Sequence, residues 1–212
     1  MIDTPKPDVP ADVPSFNTRD PNSPDFWDER FNRQYTPWDQ AGVPQAFQVF
    51  ATDNRDTLKN VLIPGCGAAY EALWLAREAW SVKAIDFSPS AVATARGQLG
   101  EHAGVVEQAD FFAYRPPFDI DWIYERAFLC ALPPGRGPEY ASRMAALLRP
   151  GALLAGFYFI GATPKGPPFG IERDALDALL TPYFEQVEEH PVSGSISVFA
   201  GRERWITWRR RP

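Results

Sequence analysis

Between residues 59 and 160, short apolar runs rich in β-branched residues alternate with amphipathic stretches. The candidate strands lie at 59–63, 81–86, 104–108, 119–125 and 151–160, and the candidate helices lie between them at 67–79, 88–99 and 136–149. Strands separated by helices pair in parallel, because each helix carries the chain back across the sheet. The alternation therefore predicts an α/β fold of the Rossmann-like, doubly wound type with a mostly parallel sheet.

The pattern changes after Gly161. A loop rich in Pro and Gly at 162–170 leads to a candidate helix at about 172–180. Two further β-rich runs follow near 183–190 and 196–208, and Ser193-Gly194 separates them. Two such runs joined by a glycine-containing turn are typical of an antiparallel hairpin. We therefore expect a seven-stranded sheet that ends in a C-terminal antiparallel hairpin.

The first 24 residues hold six prolines and few large apolar side chains, so they cannot offset the entropy of ordering the chain. We interpret residues 1–24 as a Pro-rich extended arm. Ser23 followed by Pro24 and acidic residues is typical of a helix start, and a second helix is expected from Val43 to Thr52. Residues 25–53 are predicted to form an N-terminal helical lid on a domain that spans 25–212.

Composition excludes several classes of protein. The 27 acidic side chains exceed the 21 basic ones, for a net charge of −6, which argues against a nucleic-acid binder. Two cysteines are too few for a disulfide framework or a four-thiolate zinc site, and they predict a reducing, cytoplasmic location. The N-terminus does not resemble a secretory signal, and the apolar run 151–162 is too short to span a membrane. We expect a cytoplasmic monomer with no metal and no membrane or nucleic-acid partner.

Three signals of ligand chemistry fall at the ends of successive candidate strands. Gly65-Cys66-Gly67 follows the first strand, and glycines there let the backbone approach a ligand closely. Asp86 ends the second strand, where a carboxylate can accept hydrogen bonds from ribose hydroxyls. Asp110 and Phe111 follow the third and could hold the edge and face of an adenine. Together these residues predict a nucleotide-type site at one edge of the sheet.

The glycine turn also bears on which nucleotide is bound. A dinucleotide site of the NAD type needs a third glycine, and Tyr70 stands at that position. S-adenosylmethionine has no phosphate and needs only an adenosine pocket and room for its methionine part, so we favour it. An NAD-type oxidoreductase stays an alternative, as does an adenosyl-binding methyltransferase that acts on another metabolite or on a macromolecule.

Four short motifs resemble a known family. They are Phe26–Phe31 (FWDERF), Tyr35–Gln40 (YTPWDQ), Ile63–Gly67 (IPGCG) and Gly166–Phe169 (GPPF). Over about residues 25–208 the chain resembles the thiopurine S-methyltransferase superfamily, and its thiol/halide methyltransferase branch most closely. The resemblance implies transfer of a methyl group from S-adenosylmethionine to a small soft nucleophile: a thiol, a thiopurine-like compound, an inorganic sulfur, selenium or tellurium anion, or a halide.

The resemblance also implies site residues. The cofactor would be bound by Trp27, Phe31, Trp38, Gly65, Cys66, Gly67, Asp86, Phe87, Asp110, Phe111 and Arg126, and the substrate would meet Arg126, Phe128 and Phe169. Aromatic faces such as Trp27 and Trp38 attract a sulfonium cation by about 0.5–2 kcal/mol, depending on desolvation. We expect Phe169 to cover the substrate from a loop at the rim.

No general base is assigned. His102 and His190 are the two histidines of the chain, and neither falls at a candidate strand end near the cofactor. We therefore expect Arg126 to favour the thiolate form of an acceptor through its positive charge. The alternative is a structural arginine paired with Glu125 or Asp110.

Cys66 and Cys130 lie just past the first and fourth candidate strands, which are neighbours in this topology. Two interpretations stay open. They are either small buried apolar residues or a redox-sensitive pair at the mouth of the site.

Overall fold

The computed structural model describes residues 14–212, and the prolines at positions 5, 7 and 10 lie outside that range. The strands of this part of the chain are β1 (Asn60–Pro64), β2 (Ser81–Asp86), β3 (Val106–Gln108), β4 (Ile120–Arg126), β5 (Leu148–Phe159), β6 (Phe184–Pro191) and β7 (Glu203–Arg210). They form one seven-stranded sheet in the order β3-β2-β1-β4-β5-β7-β6. The pairs from β3 to β5 are parallel, and β7 is antiparallel to both β5 and β6. The predicted fold class is confirmed.

Helices cover both faces of the sheet. They are α1 (Pro24–Asn32), α2 (Gln45–Asp53), α3 (Tyr70–Arg77), α4 (Pro89–Leu99), α5 (Gly137–Leu147) and α6 (Arg173–Leu180). Residues of α2, α3 and α4 share one buried apolar cluster with the sheet, which includes Phe47 and Trp122. Residues of α5 and α6 share a second cluster, which includes Tyr140 and Trp208. The two clusters make this a doubly wound sheet with a core on each side.

The helix after β1 is shorter than the sequence pattern predicts. Gly67 has a φ of +52° and Ala69 a φ of +59°, so neither fits a right-handed helix, and α3 begins at Tyr70 rather than at residue 67. Residues 65–69 form a turn at the carboxyl edge of the sheet instead. The shortening therefore leaves backbone free to face a ligand.

The predicted last strand at 196–208 is wrong at its start. Backbone hydrogen bonds from Phe199 to Ile196 and from Arg202 to Phe199 fold this part into turns, and β7 begins at Glu203. Ile196, Val198 and Phe199 have strand-like side chains, but local turn formation overrides that preference. Because Glu203 pairs with Phe159 at the end of β5, the turns lie at the carboxyl edge of the parallel strands.

The first helix begins where the sequence predicts. The Ser23 side chain accepts a hydrogen bond from the backbone N–H of Asp25, and Pro24 occupies the first turn. Asp28 joins this helix to α4, because its Oδ1 accepts hydrogen bonds from Ser88 Oγ at 2.5 Å and from the Ser90 backbone N–H at 2.8 Å. The contact places α1 against the carboxyl edge of the sheet.

No helix in residues 14–212 is both long and apolar enough to cross a membrane. Within the same residues, no group of three or more His, Cys, Asp or Glu side chains is arranged to hold a metal ion.

Candidate active site

A pocket of about 720 Å³ opens at the carboxyl edge of the sheet, a size in the range of small-molecule sites. The predicted cofactor residues line this one pocket: Trp27, Phe31, Trp38, Gly65, Cys66, Gly67, Asp86, Phe87, Asp110, Phe111 and Arg126. Phe128, which was expected to meet the substrate, lines it too. Side chains that are distant in sequence therefore converge as the topology requires.

The glycine turn forms one wall of the pocket. Gly65 has a φ of +59°, and a Cβ atom placed on it would lie 2.6 Å from Cδ2 of Phe128. The ring of Phe128 therefore rests directly against the backbone of Gly65. Any other residue at this position would be strained and would push that ring away.

Asp86 lies beside the turn at the end of β2 and is 8% exposed. Its carboxylate accepts hydrogen bonds from the backbone N–H groups of Gly67, at 3.1 Å, and Ser88, at 3.0 Å. Burial raises the pKa of Asp86 to about 6, and the two N–H groups oppose the increase. A carboxylate has about four acceptor positions, so capacity for ligand hydroxyls is left over.

An aromatic cluster from α1 and the loop after it lies across the pocket. The ring of Trp38 contacts Trp27 at 5.5 Å and Phe31 at 6.1 Å between centroids, both edge to face. The indole N–H of Trp27 donates to the carbonyl of Pro21 at 2.9 Å, which fixes that ring. Aromatic rings in this arrangement suit a ligand that carries a positive charge.

Part of the N-terminal arm also lines the pocket, through Phe16, Thr18 and Arg19. Glu29 of α1 holds this segment by accepting hydrogen bonds from Asn17 N at 3.0 Å, Thr18 N at 2.9 Å and Thr18 Oγ1 at 2.6 Å. The Thr18 hydroxyl, with the two backbone N–H groups, lowers the pKa of Glu29 to about 2. The sequence predicts a Pro-rich extended arm here, and no local pattern indicates this contact.

Arg126 has a different partner from either of those expected. Its Nη1 donates to Oε1 of Glu71 at 2.7 Å, and the hydroxyl of Tyr124 donates to the same oxygen at 3.2 Å. The partners named in the alternative interpretation, Glu125 and Asp110, are therefore wrong, although Arg126 is paired with a carboxylate. Burial alone would lower the pKa of Arg126, but Tyr124 and Glu71 raise it above its usual value.

Glu125 stabilises the segment behind the pocket instead. Its carboxylate accepts hydrogen bonds from the backbone N–H groups of Phe128 and Leu129, each at 3.0 Å, and from the hydroxyl of Tyr140 at 2.7 Å. Burial raises the pKa of Glu125 to about 7, against the effect of these donors. The segment that carries Phe128 is thus fixed by a buried side chain.

The structure corrects the expected position of Phe169. The ring folds back against Gly166, and the Phe169 backbone N–H donates to the carbonyl of Cys130 at 2.7 Å. Phe169 therefore lines a small second cavity beside Cys130, while Pro167 and Pro168 reach the main pocket in its place.

Three of the pocket-wall residues that sequence reasoning missed are Glu71, Val198 and Phe199. Glu71 follows the glycine turn. Its role depends on the hydrogen bond that it accepts from Arg126, and no sequence motif links these two residues. Val198 and Phe199 come from the turns before β7, which were assigned to a strand. The turn residues Ser193, Gly194 and Gly201 indicate a loop in this region, but not where it packs.

Both cysteines are free thiols, and they pack in different places. Cys66 packs against the cluster that α2, α3 and α4 share with the sheet, whereas Cys130 is buried with Phe159 and Phe199. Burial raises the pKa of both thiols well above the usual value, which disfavours the reactive thiolate. Their surroundings favour the packing interpretation over a redox-sensitive pair.

Solved structures with a similar architecture include methyltransferases. A Burkholderia thailandensis 1,6-didemethyltoxoflavin-N1-methyltransferase, solved with bound S-adenosylhomocysteine, superposes with a TM-score of 0.70 over 96% of this chain and 95% of that chain, at 17% identity. A Bradyrhizobium japonicum N-methyltransferase, NodS, also bound to S-adenosyl-L-homocysteine, gives a TM-score of 0.63 over 86% and 88%, at 18% identity. The fold is that of the Rossmann-like methyltransferases, whose cofactor is S-adenosyl-L-methionine.

Sequence comparison narrows this class to a family. The model of the thiopurine S-methyltransferase family matches residues 22–211. Thiocyanate methyltransferase 1 of Arabidopsis thaliana is 30% identical over 193 residues, which cover 87% of this chain and 84% of that protein. A thiopurine S-methyltransferase of Pseudomonas fluorescens is 31% identical over 176 residues, covering 74% and 81%. The chain belongs to the thiopurine S-methyltransferase family and is a methyltransferase, which decides against the NAD-type alternative.

Proposed function

We propose that this enzyme transfers the methyl group of S-adenosylmethionine to the sulfur of a small organic thiol. The observation that carries the proposal is a set of mostly apolar pocket residues from the segment after β4, the loop before α6 and the turns before β7, which we call the acceptor end. It comprises Ala127, Phe128, Cys130, Ala131, Pro167, Pro168, Val198 and Phe199. These walls stabilise an apolar substrate body by burying it, at about 25 cal/mol per Å², but they cannot replace the hydration of an inorganic anion.

The opposite part of the pocket, the cofactor end, fits the adenosyl group. Asp86 has acceptor capacity left for the ribose hydroxyls, and Asp110 and Phe111, which line the same pocket, would flank the adenine. When bound, S-adenosylmethionine supplies an electrophilic methyl group on a positively charged sulfur. The faces of Trp27 and Trp38 would stabilise that charge by about 0.5–2 kcal/mol.

The contribution of the protein to the rate is mainly positional. Methyl transfer needs the acceptor sulfur in line with the bond that breaks, and holding two reactants in that geometry lowers the barrier strongly. A thiol with a pKa of about 8.5 is a few per cent thiolate at neutral pH, and Arg126 would donate a hydrogen bond to the sulfur of that form. On this proposal no side chain has to act as a general base.

We further propose that the enzyme works as a cytoplasmic monomer, with residues 25–212 as its catalytic domain and 25–53 as its lid. Two free cysteines suit a reducing compartment, and a net charge of −6 does not suit binding to nucleic acid. Light scattering on the purified protein would test the monomer, since a mass twice that of the chain would contradict it.

An acceptor screen tests the proposed reaction. The enzyme would be incubated with S-adenosylmethionine and, in turn, an aromatic thiol, an alkyl thiol, hydrogen sulfide, selenite, thiocyanate and iodide, with methylated products measured by mass spectrometry. We expect kcat/KM for the best organic thiol to exceed that for thiocyanate and iodide by about tenfold or more. A higher kcat/KM for either inorganic anion would contradict the proposal.

A further inference from the structure

Glu71 lines the pocket and contacts Arg126. It is in the first turn of α3, directly after the glycine turn. Its side chain is 10% exposed, and its Oε1 receives hydrogen bonds from Arg126 at 2.7 Å and from Tyr124 at 3.2 Å. The residue thus connects the cofactor turn to the one guanidinium that faces the acceptor end from β4.

The polar groups around Arg126 come from three elements. The carboxylate of Glu71 faces it from α3 and the neutral hydroxyl of Tyr124 from β4, and Glu203 of β7 lies close enough to interact with it electrostatically. The ring of Phe157, on β5, lies 5.3 Å from the guanidinium carbon. One carboxylate in direct contact and a second nearby compensate the positive charge, so this wall offers little net attraction to an anion.

We propose that Glu71 sets the charge selectivity of the acceptor end: by compensating Arg126, it makes the pocket discriminate against permanent inorganic anions in favour of thiols, which are mostly neutral in solution and lose their proton to water before they react. The inference rests on the proposed function, because it assigns a residue to the preference for organic thiols. Arg126 keeps a hydrogen-bonding role toward an acceptor sulfur, while its charge is shared with Glu71.

The variant Glu71→Gln tests the effect of the negative charge of Glu71 separately from its hydrogen bonds. The Gln amide oxygen can still accept from Arg126 and Tyr124, so the geometry is kept while one negative charge is removed. Glu78→Gln is the matched control, because Glu78 lies at the end of the same helix and pairs with Arg55 at 3.0 Å outside the pocket. Glu71→Asp keeps the charge and serves as the conservative variant.

Calorimetry on the complex with S-adenosylhomocysteine would measure binding of thiocyanate, a permanent anion, and of thioanisole, a neutral methyl thioether. For Glu71→Gln we expect thiocyanate to bind about tenfold more tightly, equal to about 1.4 kcal/mol, and thioanisole to bind as in the wild type. Glu71→Asp and Glu78→Gln should keep the wild-type ratio. An unchanged ratio in Glu71→Gln, or a parallel change for both ligands, would overturn the inference.

Two outcomes separate this inference from the proposed function. If the wild type methylates no thiol but Glu71→Gln still gains affinity for thiocyanate, the proposed function is wrong and the role of Glu71 stands. If thiols are methylated and the ratio does not move, only the role of Glu71 fails. Should Glu71→Gln not fold, Arg126→Met leaves the negative charge unbalanced and should weaken thiocyanate binding, and unchanged thiocyanate affinity there would reject the inference.

Discussion

The two ends of the pocket are built in different ways. Much of the cofactor end is formed by residues that follow β1, end β2 or follow β3, and backbone pairing from Asn60↔Ser81 to Pro64↔Ile85 fixes the first two strands against each other. The acceptor end is assembled from separate loops, which contribute Pro167, Pro168 and Phe199, and Phe199 is held by side-chain packing. The sheet thus determines where these cofactor residues lie, while the acceptor wall depends on which loops meet.

The largest expected effect is at the cofactor end alone. Replacing Asp86 with Asn removes the charge and leaves one oxygen for two backbone N–H groups. We expect the Kd for S-adenosylhomocysteine to increase about 100-fold, since hydrogen bonds to charged groups contribute about 1.5–3 kcal/mol each. Calorimetry would measure it, with the exposed Asp56→Asn as control. A Kd within about threefold of the wild type would break the assignment.

The raised pKa of Asp86 predicts opposite pH dependences for cofactor affinity and for the stability of the ligand-free protein. Because the pKa of Asp86 is about 6, cofactor affinity in the wild type should fall as the pH drops through that value. Stability of the ligand-free protein should change in the other direction. Between an unfolded pKa near 3.8 and about 6, the folded state binds the extra proton, so the free energy of unfolding decreases as pH rises. Both dependences should disappear in Asp86→Asn.

The next largest effect is expected from Gly65, whose backbone is in contact with a residue of the acceptor end. In Gly65→Ala the new Cβ would meet the ring of Phe128, so we expect both cofactor affinity and kcat/KM for thiols to fall by about thirtyfold. Gly100→Ala is a matched control, because Gly100 has a φ of +56° with no atom within 4 Å of the added Cβ. Thermal unfolding should show similar strain in both variants. Loss of binding in both, or in neither, would contradict a specific contact between the ends.

The smallest effect belongs to the acceptor end alone. Phe199→Ala removes part of its wall, so the KM for an aromatic thiol should increase about fivefold, or about 1 kcal/mol of lost burial. The Kd for S-adenosylhomocysteine should stay as in the wild type. The exposed Val187→Ala on β6 is the control. An equal loss of cofactor affinity in Phe199→Ala would show that the two ends are not separable.

The same contrast explains which parts of the molecule the sequence predicts. Asp86 and Phe111 follow from strand periodicity, because a strand end in a parallel sheet has a fixed position. Trp27 and Trp38 were placed through family resemblance, not through local pattern. The pair of Glu71 with Arg126 joins residues 55 positions apart, and no propensity or spacing encodes such a contact. The turns that carry Phe199 contain side chains that favour a strand, so residue propensity predicts the wrong structure there.

The hydrogen bonds between Glu29 and the N-terminal arm limit what can be concluded about this pocket from other members of the family. The family match begins at residue 22, yet Phe16, Thr18 and Arg19 line the pocket. A shortened chain designed from the boundaries of the match would lack this wall and would leave Glu29 without Thr18. Acceptor preferences measured on relatives therefore do not transfer automatically across this side of the pocket, and the intact N-terminus belongs in every comparison with them.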